Sequence, residues 1–101
     1  MNRWVRFSHE FSDDIDEIWF YIAQDNVEAA NHFIDGFEPI YDILAHNPYA
    51  GRSRDELKVG LRSFPHESYI IFYFPADYGV LIYRVFHAAR DIELIFTEEF
   101  E

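Results

Sequence analysis

The 101-residue chain contains no cysteine, which excludes a disulfide framework and any thiolate metal site. Nor does it hold an apolar run near the roughly 18 residues of a membrane span. Met1 leads into Asn2-Arg3-Trp4 rather than a signal sequence, so a soluble, cytoplasmic protein is expected. Basic residues are scarce: 8 Lys plus Arg stand against 19 acids, a formal net charge of -11. Such a balance opposes non-specific nucleic-acid binding, because phosphates reward basic surfaces. Internal repeats, linkers and low-complexity segments are absent too, which leaves one domain over residues 1–101.

Hydrophobic residues make up 50% of the chain and aromatics 20%, enough for a core without staples. Charge is unevenly placed. Residues 9–46 carry ten acids and no Lys or Arg, residues 51–90 carry six bases and four acids, and residues 91–101 carry five acids. An acidic front half and tail therefore flank a mildly basic middle.

Trp4 to Ser8 alternates weakly and reads as a short first strand. Ser8 is a good N-cap, and Phe11, Ile15, Ile18, Trp19 and Ile22 recur at helical spacing, which predicts a helix over about 9–24. Asp13, Asp14, Asp16 and Glu17 fall largely outside that stripe and read as a solvated face, since no His sits at ligand spacing among them. Asn26 caps a second helical pattern running to about His46. Gly36 and Pro39 within it predict a kink or two shorter helices. Arg52 to Val59 reads as an exposed connection or short helical turn.

Strands follow at Leu61–Phe64, at Tyr69–Phe74 and at Val80–His87, separated by turn clusters. Tyr69-Ile70-Ile71-Phe72-Tyr73-Phe74 is apolar on both faces of a pleat. Ala88 to Phe96 is expected to add a turn and a short extended segment, with an acidic, frayed end at Thr97–Glu101. The expected fold is α+β, with a two-helix antiparallel hairpin on one face of a mostly antiparallel four-stranded sheet, in the order β-α-α-β-β-β. On this reading the sheet's other face keeps its aromatics and arginines for a partner.

The segments DDIDEIWFYIAQDN, AANHFIDGF, NPYAGRSRDEL, GLRSFPHESYIIFYF and RVFHAARD, taken in order, resemble the RelE/ParE toxin superfamily, and its ParE branch most closely. The resemblance spans about Phe7 to Leu94. It implies the toxin half of a bacterial type II toxin–antitoxin pair, with an antitoxin partner that is usually a ribbon-helix-helix, ParD-like protein. For the ParE branch it implies poisoning of DNA gyrase by binding. For the RelE branch it implies a ribosome-dependent mRNA endonuclease, and a degenerate toxin that only binds antitoxin stands as a third reading.

A metal-free nuclease would need a base, an acid and cations around the scissile phosphate. Glu56, His87, Arg62 and Arg84 are the candidates, against which stand a single Lys and the charge of -11. The binding reading draws on Arg52, Arg54, Arg62, Tyr73, Arg84, His87 and Arg90, with no catalytic residue, metal or cofactor. His87 at a strand end also fits a structural, capping role, and Arg90-Asp91 an ion-pair network. Arg84, inside an apolar strand, must be paired if it faces the helices and is free to anchor an acidic partner if it faces outward. Toxins of this group are commonly neutral or basic, which suits acidic antitoxin tails, whereas the helical hairpin here is strongly acidic.

Overall fold

The computed structural model describes residues 2–99. The elements run β1 (Trp4–Phe7), α1 (His9–Ala23), α2 (Val27–Asp35), α3 (Glu38–His46), β2 (Arg52–Ser53), β3 (Arg62–His66), β4 (Tyr69–Ala76), β5 (Gly79–His87) and α4 (Ile92–Glu99). The sheet is mixed and five-stranded, in the order β1-β5-β4-β3-β2. β3 to β5 form the expected antiparallel meander, β2 adds to it antiparallel to β3, and β1 joins the edge of β5 in parallel.

Local chemistry sets the helix boundaries. Ser8 is extended, and its Oγ accepts from Phe11 N at 3.0 Å, which starts α1. Asn26 does the same for α2 through Ala29 N. The second helical pattern breaks after Asp35, and α3 begins at Glu38. Pro39 thereby falls in a first turn, where no intrahelical donor is required.

Both faces of β4 are covered. On one face Ile71 and Tyr73 join Val80, Ile82 and Val85 of β5 under Phe11, Ile18, Phe37, Tyr41 and Leu44 of the helical layer. On the other face Phe72, Phe86 and Leu61 pack with Phe96 of α4. The register shifts between Phe72 and Tyr73, which pair with Arg84 and Ile82 and leave Tyr83 as an extra residue. That bulge explains why the helix-facing residues of β5 run 80, 82, 85 instead of alternating.

Three expectations are corrected. β2 makes a fifth strand: it is two residues long and exposed, and so has no alternation to read. Residues 92–99 form a helix, not an extended segment. Asp91 Oδ1 accepts from Leu94 N at 3.1 Å, and Ile92, Ile95 and Phe96 turn to the sheet. The frayed end assigned to Thr97–Glu101 is therefore helical through Glu99, and its last two residues lie outside the described range. The sheet face reserved for a partner is thus occupied by the chain's own C-terminal helix.

Candidate functional site

β1 ends at Phe7, opposite Ile82, whereas β5 runs on to His87. Beyond that point α1 tends the strand edge. Ser8 N donates to Ile82 O at 2.9 Å and Ser8 Oγ to Tyr83 O at 2.6 Å. Asp14, only 6% exposed, accepts from Val85 N at 3.1 Å. A carboxylate thus stands where the next strand would be.

Asp14 also fixes Arg84. The guanidinium donates through Nε at 2.8 Å and Nη2 at 3.0 Å to the two Asp14 oxygens, and through Nη1 at 2.8 Å to Glu99 of α4. Tyr83 Oη donates to the other Glu99 oxygen at 2.8 Å. Burial works against the charge of Arg84, but the hydrogen bonds and charges of Asp14 and Glu99 outweigh it and hold its pKa above the ordinary value. Burial first, then Glu99, pushes the Tyr83 hydroxyl well up. Arg84 is therefore paired, and it ties α1 to α4 around the open sheet edge. The reading of Asp14 as part of a solvated face is overturned, because helical periodicity sets it beside Phe11 and Ile18 on the buried side.

Past Val85 the edge opens into a cleft of about 680 Å³. Its walls are Glu17, Ile18 and Tyr21 of α1, Phe33 of α2, Glu67, Ser68 and Tyr69 at the β3–β4 turn, and Val85 to His87 with Arg90 at the end of β5. Tyr69 and Phe33 meet edge to face, with centroids 5.3 Å apart. Tyr21 is 75% exposed at the mouth. His87 stacks edge-on to Tyr69, and its Nδ1 accepts from Ala89 N at 3.0 Å. Accepting there leaves Nε2 as the nitrogen that carries the hydrogen of the neutral ring. Arg90 makes no network with Asp91: its guanidinium lies 5.2 Å from the Phe86 ring centroid, and Asp91 caps α4.

The remaining cations sit elsewhere. Arg62 donates to Gly51 O and stacks over Tyr49 at 5.0 Å. Arg54 pairs with Glu56 at 2.8 Å and lies 5.6 Å from the Phe72 centroid. Hydrogen bonding from Arg54 holds the exposed Glu56 carboxyl below its ordinary range. Arg52 is exposed on β2. Tyr73 is fully buried, where its hydroxyl donates to Pro48 O at 2.8 Å and accepts from Gly51 N at 2.9 Å. Arg62 pairs with Tyr73 and His87 with Tyr69, so the two groups lie four residues apart along β4, about 13 Å. The structure therefore gathers His87 and Arg90 in the cleft and Arg52, Arg54, Glu56 and Arg62 at the sheet's other end, with Arg84 between them.

Residues that sequence reasoning missed are Glu17, Ile18, Tyr21, Phe33, Glu67 and Tyr69. Tyr21 carried a usable signal, since it stands off the apolar stripe of α1. Glu67 lies in a turn with φ of 55°, which no charge pattern marks. Among the described residues no group of three or more His, Cys, Asp or Glu could hold a metal, and no helix is long and apolar enough to cross a membrane.

Residues 5–92 match the family model described as the ParE toxin of the type II toxin–antitoxin system, parDE. The chain is 30% identical over 87 residues to Toxin ParE1 of Caulobacter vibrioides, covering 85% of this chain and 90% of that protein. A solved structure, the chromosomal ParDE TA system from P. aeruginosa, superposes with a TM-score of 0.68 at 17% identity, over 84% of this chain and 95% of that one. Its likeness extends to the fold. The family match spans most of the chain, and the protein belongs to the ParE toxins of type II toxin–antitoxin systems.

Proposed function

We propose that this chain acts by binding rather than by hydrolysis, that its cytoplasmic target is DNA gyrase, and that a cognate ParD-like antitoxin neutralises it by filling the cleft beside β5. The observation that carries the binding site is the cleft itself. A strand edge continues past its last neighbour into an opening floored by Ile18, Phe33, Tyr69, Val85 and Phe86. Extended or helical segments dock on such edges and grooves through main-chain hydrogen bonds and apolar pockets.

The placement of the polar residues supports binding over cleavage. Glu56 is engaged by Arg54, and Arg84 by Asp14 and Glu99, so neither faces His87 with a free group. Arg62 lies at the other end of the sheet. A nuclease would need these four around one phosphate.

Induction of the chain alone is expected to stop growth with DNA damage and filamentation, and co-expression of the antitoxin from the neighbouring reading frame is expected to restore growth. The purified protein should inhibit supercoiling by gyrase. Prompt loss of translation, with ribosome-bound message cleaved by wild type and spared by His87→Ala, would replace this reading with the endonuclease. A harmless chain that still binds antitoxin would mark a degenerate toxin.

A further inference from the structure

We infer that the partner segment entering the cleft is apolar and cationic, setting Lys or Arg side chains against Glu17 and Glu67; the inference rests on the reading of the cleft as the partner's site. The floor is apolar, but its two walls each carry an acid, Glu17 on α1 and Glu67 on the β3–β4 turn. Both are exposed, and neither makes an ion pair among the described residues. The cation nearest the floor along β5, Arg84, is neutralised from two sides by Asp14 and Glu99. Arg90 is the one Lys or Arg among the lining residues, beside the His87 imidazole, and it lies over Phe86.

The cleft is also set in a strongly negative body. The helical wall belongs to a stretch with ten acids and no Lys or Arg, and the whole chain carries -11. A cleft with low-dielectric walls focuses such a field, favouring a cationic guest in both encounter and register. An acidic segment would set like charges beside Glu17 and Glu67 with one arginine to offset them. Arg52, an exposed base that could receive an acidic segment, lies on β2 at the sheet's other end.

The test uses the full chain and two synthetic peptides of about eight residues that alternate Val or Leu with Lys in one and with Glu in the other. Binding is followed by calorimetry at low and high salt. The Lys peptide should bind about tenfold tighter than the Glu peptide at low salt, with the gap shrinking several-fold at high salt. Glu17→Lys with Glu67→Lys should abolish or reverse the preference, and Tyr21→Ala should weaken the Lys peptide. All three positions are exposed, so the variants should keep the wild-type melting temperature. The inference is overturned if the Glu peptide binds as well or better, if neither binds, or if the double reversal leaves the preference intact. Toxicity on induction reads out separately. A harmless chain that prefers the Lys peptide sinks the toxin reading alone, whereas a toxic, neutralised chain that prefers the Glu peptide sinks this inference alone.

Discussion

Removing the Asp14 carboxylate is predicted to be among the more damaging single changes outside the apolar core. Asp14 accepts from Arg84 through two nitrogens and from Val85 N, and it is nearly buried. Asp14→Ala would leave Arg84 with Glu99 alone and an edge N–H without its acceptor. Breaking a buried pair by deleting one partner costs about 3–5 kcal/mol when the remaining charge is sealed in. Arg84 keeps 17% side-chain exposure and a second carboxylate, so the lower end applies, about 3 kcal/mol. For a domain of this size that is a drop of roughly 12 °C or more in Tm. Circular dichroism melts and urea titrations would measure it, with Asp13→Ala as the exposed control, expected within about 0.5 kcal/mol of wild type. The double variant Asp14→Ala with Arg84→Met should recover part of the loss, because no stranded charge remains. If Asp14→Ala matches Asp13→Ala, the claim that this carboxylate latches α1 to the sheet edge is wrong.

Phe96→Ala should cost about 3 kcal/mol by urea unfolding if α4 is seated on Phe72 and Phe86 as described; a cost below about 1 kcal/mol would mean that the helix is not packed there. Tyr73→Phe removes a buried hydroxyl that joins Pro48 O and Gly51 N, and should cost about 1–3 kcal/mol without touching the cleft. Burial raises the pKa of Tyr41, Tyr69, Tyr73 and Tyr83 above the ordinary value of 10.0. A raised folded-state pKa contributes stability that is fully present below the unfolded value and lost as pH climbs past it. Stability should therefore fall above about pH 10, with these four phenolates appearing in ultraviolet difference spectra only as the chain unfolds. Their ionisation in the native baseline would contradict the burial assigned to them.

Much of the fold was legible because its signals are local. Ser8 and Asn26 announce their helices by side-chain chemistry alone, and Gly36 with Pro39 marks the break between α2 and α3. The doubly apolar β4 told that both faces need cover. What supplies the second cover was not legible. Residues 92–99 are short and acidic, and their helix is fixed by the Asp91 cap and by contacts with Phe72 and Phe86 that are remote in sequence. The parallel placement of β1 and the bulge at Tyr83 are likewise decided by pairing, which composition does not encode. At the site, His87 and Arg90 are legible as polar residues at the end of an apolar strand. The acids and aromatics that make the cleft were missed, because each looks ordinary until α1, the β3–β4 turn and β5 converge.

The most direct test is amide hydrogen exchange on the chain alone and in complex with a cognate antitoxin. Slowed exchange should concentrate in residues 17–21, 67–69 and 85–90, the segments that wall the cleft. Protection confined to the Arg52–Arg62 end of the sheet, with those three segments exchanging as in the free chain, would contradict the assignment of the partner's seat.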